Sequence, residues 1–244
     1  MPKFFVMSDI HGFYDEMITA LDEAGFDKNN EDHWIITCGD HFDRGEQPLQ
    51  VLEFLQGLPR KILVKGNHET LLLEFVCRGF PYTYDWQNGT TLTVMNIAPN
   101  AESFGEACTI TYAKVKDFID GMVNYFETEK YIFVHSWIPV IDQSRILSTF
   151  KKDWRESHYQ EWEDSRWGNP YRFIEQGLLP DKTVVFGHWH CSTGWAKAEG
   201  RTEFGKDAKF DPFYGDGFIS IDACTAHSGK CNVVVIEDEF LKEN

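Results

Sequence analysis

The chain has 244 residues, a formal net charge of −16, and 42% hydrophobic and 15% aromatic residues. That apolar content suffices for a packed core, and the length suits one domain spanning 1–244 that carries insertions. The acidic balance excludes a surface built for nucleic acid or an anionic membrane, which attract basic proteins. It does not exclude a small phosphate substrate, because bound cations reverse the field locally.

Lys3 to Ser8 predicts a first strand, entered directly from Met1 with no signal-peptide pattern. The strand runs into Asp9-Ile10-His11-Gly12, and Tyr14 to Ala24 follows with apolar residues at helical spacing (Met17, Ile18, Leu21) and Gly25 as a stop. Trp34 to Cys38 predicts a second, buried strand. It opens into Gly39-Asp40-His41-Phe42-Asp43-Arg44-Gly45, and Gln47 to Gln56 is a helix with Pro48 in its first turn. Lys61 to Val64 is a third strand, closing in Gly66-Asn67-His68-Glu69, and Thr70 to Arg78 a third helix. Three repeats of strand, polar loop and helix imply a parallel sheet with right-handed crossovers and all three loops at one end.

The next stretches break that rhythm. Residues 79–130 are expected to form a first, helical insertion packed near the mouth of the site: Gly79 to Pro99 is aromatic and turn-rich, and Tyr112 to Phe126 is helical. Tyr131 to Val134 is a strand ending in His135. Residues 138–180 form a second insertion, dense in Trp and Arg, whose Trp154, Trp162 and Trp167 are expected to make its core. Thr183 to Phe186 is a strand ending in Gly187-His188-Trp189-His190. Phe218 to Asp222 and Cys231 to Glu237 flank Gly229 as an expected terminal hairpin. No apolar run approaches membrane-spanning length. The six cysteines show no CxxC spacing and are expected to be mostly buried thiols, which together with the missing signal pattern points to the cytoplasm.

The strand ends collect Asp9, His11, Asp40, Asn67, His135, His188 and His190. All are oxygen or nitrogen donors, a set suited to Mn, Fe, Zn or Co rather than to a thiolate site. Seven donors are too many for one ion and right for two that share a carboxylate, the clamp used in phosphate-ester hydrolysis, where a shared water is acidified into the attacking hydroxide. The chemistry also needs a proton donor for the leaving oxygen and an arginine for the phosphate. His68 and Arg44 are placed for these roles, and Asp43 or Glu69 could orient His68. Asp43 has a competing reading as a structural partner of Arg44.

Taken in order, Asp9-Ile10-His11-Gly12, Gly39-Asp40 with Asp43-Arg44-Gly45, Gly66-Asn67-His68-Glu69, His135 and Gly187-His188-Trp189-His190 resemble the successive motifs of the calcineurin-like metallophosphoesterases. Asp43-Arg44-Gly45 and Glu69 resemble the serine/threonine phosphoprotein phosphatase branch, with its bacterial and phage members and the diadenosine-tetraphosphate hydrolases. The tail from Ile221 to Lys230 is similar to that branch's closing segment. The resemblance implies an αββα sandwich of two mixed sheets flanked by helices. It implies one ion on Asp9, His11 and Asp40, and a second on Asp40, Asn67, His135 and His188. In the wider superfamily the second histidine of a Gly-His-x-His motif, here His190, completes the first site. The protein-phosphatase branch usually lacks that histidine and often has Gly where this chain has Ser8. Asn67 and Arg44 are expected to contact substrate, with Arg166 the first choice for a second phosphate-gripping arginine and Arg155 and Arg145 the alternatives. Two divalent ions are implied, manganese first, with Fe, Zn, Ni or Co accepting the same ligands. The expected activity is hydrolysis of phosphate monoesters, on phosphoserine or phosphothreonine in proteins or on a small phosphorylated molecule. Hydrolysis of dinucleoside polyphosphates or phosphodiesters is the alternative, and a non-catalytic scaffold is disfavoured because every ligand type is present.

Overall fold

A computed structural model describes residues 1–144 and 147–241 of the chain. In chain order, β1 (Lys3–Met7), α1 (Tyr14–Glu23), β2 (His33–Cys38), α2 (Pro48–Gly57), β3 (Lys61–Val64) and α3 (Asn67–Arg78) alternate strand and helix. Helices α4 (Thr83–Asn88), α5 (Thr90–Ile97) and α6 (Phe104–Asp120) precede β4 (Tyr125–Glu127) and β5 (Tyr131–Val134). The antiparallel pair β6 (Val140–Ser144) and β7 (Leu147–Phe150) and helices α7 (Tyr159–Arg166) and α8 (Pro170–Glu175) lead to β8 (Thr183–His190) and α9 (Cys191–Glu199). The chain closes through β9 (Phe213–Gly215), β10 (Phe218–Asp222), α10 (Thr225–Ser228) and β11 (Val234–Glu237).

Two larger mixed sheets face each other. The first runs β11-β1-β2-β3, with β1, β2 and β3 parallel and β11 antiparallel at the edge. The second runs β4-β5-β8-β10-β9, with β5, β8 and β10 parallel and antiparallel strands at both edges. The period-two alternation of side chains decides what each face meets. Along β1, Phe4 and Val6 turn inward, joining Ile36 of β2 and Phe133, Val185, Ile219 and Ile221 of the second sheet in the layer between the sheets. Phe5 and Met7 turn outward and pack with Met17 and Leu21 of α1 and Val51 and Leu55 of α2. Ile132, Val184 and Phe186 on the far face of the second sheet cover Trp137, Trp154 and Trp162. This is the expected αββα sandwich, and the six cysteines are free, five of them buried.

Three sequence expectations need correction. Helix α3 starts at Asn67 rather than Thr70, because the Glu69 carboxylate accepts the Gly66 N–H at 2.7 Å and so supplies a helix N-terminus that begins on glycine. The expected helical insertion after Gly79 is present, broken at Gly89 (φ 82°) into α4 and α5. Tyr125 and Phe126 belong to a strand, β4, and not to the preceding helix. The two tail strands form no hairpin: β10 pairs with β8 and β9 in the second sheet, whereas β11 crosses to pair with β1 in the first.

Candidate active site

The parallel strands of both sheets end at one rim. Asp9 follows β1, Asp40 follows β2 and Asn67 opens the helix after β3; His135 follows β5, His188 lies near the end of β8 and Asp222 ends β10. The rims are stitched together by short bonds. His188 N–H donates to Asp9 Oδ2 at 2.9 Å, Gly187 N–H donates to His135 O at 2.7 Å, and His135 Nδ1 lies 2.7 Å from Cys38 O. A Cβ at Gly187 would fall on Ser8 Oγ and Asp9 Oδ2, so only glycine lets β8 come this close to β1.

Asp40 sits at the centre, and Glu69 builds its loop. The fully buried Glu69 carboxylate accepts backbone N–H groups from Asp40 (3.0 Å), His41 (2.8 Å) and Gly66 (2.7 Å). It also lies 3.0 Å from His41 Nδ1, whose ring reaches Thr37 Oγ1 at 2.7 Å. Burial alone would raise the Glu69 pKa, but His41 and these bonds hold it below the usual range. The first turn of α3 then donates the His68 N–H to Asp40 Oδ1 at 3.0 Å, a helix N-terminus aimed at a carboxylate.

Two groups of donors meet at Asp40. His11, Asp40 and His68 form one; Asp40, His135 and His188 form the other; within each, the ligand atoms lie within 4.8 Å of one another. In the first group, His11 Nε2 is 3.8 Å from Asp40 Oδ2 and 3.9 Å from Asp9 Oδ1. In the second, His135 Nε2 is 3.5 Å from Asp40 Oδ1, 2.8 Å from Asn67 Oδ1 and 3.2 Å from His188 Nδ1. Burial pushes the Asp40 pKa up, yet the surrounding His135, His68, His11 and His188 bring it well below the carboxylate range. Burial lowers His188 to about 3, and burial, then Arg44 and His68, lowers His11, so both rings are neutral.

Beside these groups lies a dyad. His68 Nδ1 is 2.7 Å from Asp43 Oδ2, which also accepts from Thr90 Oγ1 at 2.9 Å, and the Asp43 N–H donates to Thr93 Oγ1 at 2.9 Å. Burial opposes protonation of His68, but the Asp40 charge and then the Asp43 bond and charge overcome it and raise the pKa to about 9. Burial pushes the Asp43 carboxyl up as well, so one proton is held tightly between the two side chains. His68 Nε2 points toward Asp40 Oδ2, 3.9 Å away. Of the two expected partners for His68, the structure supplies Asp43; Glu69 is committed to His41 and the loop.

The other expected arginines divide. Arg44 is exposed at the mouth of the rim and lowers the pKa values of His11, His188 and His190, so its charge faces the whole cluster. Arg166 is buried, ion-paired with Glu163, and 2.5 Å from Asn124 Oδ1 through Nη2, with Glu69 near enough to act on its charge. Arg155 pairs with Glu127 at 2.5 Å, and Arg145 lies outside the described residues. His190 stands apart from both donor groups, with Nδ1 3.6 Å from Glu203 and Nε2 3.9 Å from Asp222. Trp154 and Trp162 are core, but Trp167 is 55% exposed and meets the His188 ring edge-on at 6.3 Å.

The sequence reading missed Asp222, Thr90, Thr93 and His41. Asp222 is fully buried, and burial raises its pKa to about 7; together with Asp40 it raises Asp9. Its signal was available, since it is a carboxylate ending a buried apolar strand, as Asp40 nearly is. The threonines carry no motif and are recruited only by the packing of α5 against the Asp43 turn.

Backbone strain marks the same residues. Asp9, His11, Asp40, Asp43, Arg44 and His188 all have φ between 50° and 75°. Such non-glycine positions cost of order 1–3 kcal/mol each and cluster at functional sites.

The donor chemistry fits divalent cations. The tautomers make the argument: the Nδ1–H groups of His11 and His135 are spent on the carbonyls of Phe42 (2.8 Å) and Cys38 (2.7 Å). Their Nε2 lone pairs therefore converge on carboxylate and amide oxygens, and acceptors facing acceptors in a buried rim call for a cation between them. A two-sheet sandwich with such a rim defines a metal-assisted hydrolase. The sequence comparison assigns the class: the calcineurin-like phosphoesterase profile matches residues 2–198, and the chain belongs to that family of phosphate-ester hydrolases, which work with divalent metal ions.

Over 68 residues the chain is 43% identical to the symmetrical bis(5'-nucleosyl)-tetraphosphatase of Aeromonas hydrophila, an alignment covering 28% of this chain and 24% of that protein. It is 40% identical over 70 residues to the enzyme of the same name from Nitrosococcus oceani, again over 28% and 24%. The chain thus matches about a quarter of the length of these relatives. Among solved structures, a cold-active protein-tyrosine phosphatase of a psychrophilic Shewanella is similar in fold, with a TM-score of 0.53 at 15% identity, covering 97% of this chain and 76% of that one. Among the described residues no helix is long and apolar enough to cross a membrane.

Proposed function

We propose that the enzyme hydrolyses phosphate monoesters, on phosphoserine or phosphothreonine in a protein or on a small phosphorylated molecule, with two divalent ions. The observation that carries this reading is the sharing of Asp40 between two buried donor groups, with the His68–Asp43 dyad beside them and Arg44 at the mouth. Asp9, His11 and Asp40 would hold one ion, and Asp40, Asn67, His135 and His188 the other; His190 and Asp222 flank the first set. Such ions supply a nucleophile from water at neutral pH and offset charge on the phosphoryl oxygens. His68 keeps a proton at Nε2, oriented by Asp43 at Nδ1, and gives it to the departing oxygen. A cation beside Asp40 cancels part of that carboxylate's pull on His68, which leaves the Asp43 bond as the contribution that persists. Arg44 offers a guanidinium fork to the phosphate. Arg166 is the weaker substrate contact, because its partners are already protein groups. Manganese is the first ion to test and a phosphorylated molecule the expected partner.

The test pairs a nitrophenyl phosphate monoester with the corresponding diester, on protein stripped of metal and resupplied with Mn. Metal-dependent turnover of the monoester well above the diester supports the reading; a preference for the diester overturns it. A second reading, cleavage of dinucleoside polyphosphates, is favoured by the similarity over about 70 residues to the tetraphosphatases. Release of ADP from diadenosine tetraphosphate at a kcat/KM above that for any monoester would select it.

A further inference from the structure

Arg44 belongs to two surroundings. One is the donor cluster; the other is a cavity of about 700 Å³ between the Arg44 turn, α4, α5 and the start of α6. The turn is bound tightly to that wall, with Arg44 N–H donating to Asn88 O at 3.2 Å and Gly89 packed directly against the Arg44 backbone. Among the described residues that line the cavity, Arg44 alone is charged. The rest is largely apolar: Trp86, 64% exposed, stands with Leu92 and Met95, whose side chains are exposed without a covering element. Two polar groups break this surface. The Gln87 amide makes no hydrogen bond among the described residues. The Thr91 hydroxyl, on a residue only 4% exposed, likewise has no partner among them, although it is buried where hydroxyls are almost always bonded.

We propose that this cavity is a subsite for the organic part of the substrate, and that its occupant is a nucleoside attached to the phosphate gripped by Arg44. The inference rests on the phosphoesterase reading of the neighbouring centre. A nucleobase has a flat face for Trp86 and an edge carrying both donors and acceptors for the Gln87 amide. The Thr91 side chain lines the wall along which the sugar would lie. The volume falls in the range of small-molecule sites, and a lone cation at the inner end matches a ligand whose charge is confined to its phosphate. A phosphopeptide fits less well, because the charged side chains that commonly flank a phosphorylated residue would find no charged partner in the cavity beyond Arg44.

The test compares adenosine 5'-monophosphate with glycerol 3-phosphate on the full chain loaded with Mn, in the wild type, Trp86→Ala and Thr91→Val. Trp86 is exposed, so its loss leaves folding intact, and Thr91→Val keeps the volume. Loss of one base–aromatic stack is expected to lower the nucleotide-to-glycerol ratio of kcat/KM about tenfold or more, through KM, and the valine variant lowers it several-fold. Calorimetric titration with adenosine 5'-monophosphate reads the same loss as a rise in Kd. An unchanged ratio and unchanged Kd in Trp86→Ala overturn the subsite. A phosphopeptide whose KM rises in Trp86→Ala while that of the nucleotide does not overturns the nucleoside as occupant. If no ester is hydrolysed at all, the phosphoesterase reading fails by itself, and the Kd comparison still decides the subsite.

Discussion

Replacing Asp43 by Asn tests the dyad. His68 has its pKa raised from 6.5 to about 9 against the opposing effect of burial, a preference for the imidazolium of roughly 3 kcal/mol. Asp40 supplies the largest upward push and Asp43 the next two, by hydrogen bond and by charge. Asparagine keeps the shape but removes the charge, so the pKa should fall toward 7. In the metal-free protein about nine-tenths of the wild-type rings carry the proton at pH 8 and roughly one-tenth of the variant's would; a cation beside Asp40 lowers both, so with metal bound the difference is read from the separation of the two alkaline limbs. The expected result is a loss in kcat/KM of about 10- to 100-fold at pH 8, the scale of losing a residue that orients a functional histidine. The deficit should shrink at pH 6.5, where both forms are largely protonated.

The assay is a pH profile of kcat/KM on nitrophenyl phosphate with metal at saturation, beside elemental analysis of bound metal. An alkaline limb unmoved from wild type, at wild-type rate, refutes the role of Asp43. Loss of metal along with activity would instead make His68 a ligand, which its place in the His11–Asp40 group permits. Stability follows with a definite sign. Because the folded-state pKa of His68 is raised, its pairing contributes fully below pH 6.5, and that contribution is lost as pH rises through about 9. The metal-free wild type should therefore lose part of its Tm over that window, and Asp43→Asn should lose less.

Asp40→Asn is expected to abolish binding of both divalent ions by elemental analysis, since both groups use its oxygens; retention of two ions would sink the shared position. Glu69→Gln breaks a fully buried carboxylate from three backbone N–H groups and His41, and should cost about 3 kcal/mol, seen as a fall in Tm of roughly 5–10 °C. An unchanged Tm would mean that the Asp40 loop holds itself. Arg166→Ala should lower Tm by leaving Glu163 without its partner and leave KM for phosphate esters within about twofold. A tenfold rise in KM would show that its guanidinium reaches substrate after all.

Much of this was written locally. The first three strands were legible because each is a short apolar run closed by a polar loop and followed by a helical period. The crossover rule then put Asp9, Asp40 and Asn67 at one edge. The second sheet was harder, because His135 and His188 arrive from strands separated by long irregular segments, and only their place at strand ends linked them to the first. Period-two alternation says that Val234 to Glu237 is a strand but not whose neighbour it is, so the tail was joined into a hairpin that the structure splits between two sheets. Arg166 illustrates another limit. An arginine beside a tryptophan near a site reads as a substrate contact, yet Glu163 one helical turn earlier was enough to claim it.

The rim itself runs against stability, and that is its most informative property. Asp9 and Asp222 are pushed up because they are buried with other carboxylates, and burial opposes the charge on Asp40 too, which the His68 ring and N–H help to hold. Six neighbouring residues take backbone conformations that glycine would adopt freely and they do not. A chain selected for stability alone would place glycine at those turns and apolar groups at those strand ends. What the strained residues gain is direction: the left-handed backbone turns the chain sharply at the strand ends and in the loops after them, and Glu69, Ser8, Thr90 and Thr93 hold Asp40, Asp9 and Asp43 in place with hydrogen bonds. The repulsion left among the carboxylates is relieved when cations enter, which ties the affinity for metal to the same residues that make the empty rim costly.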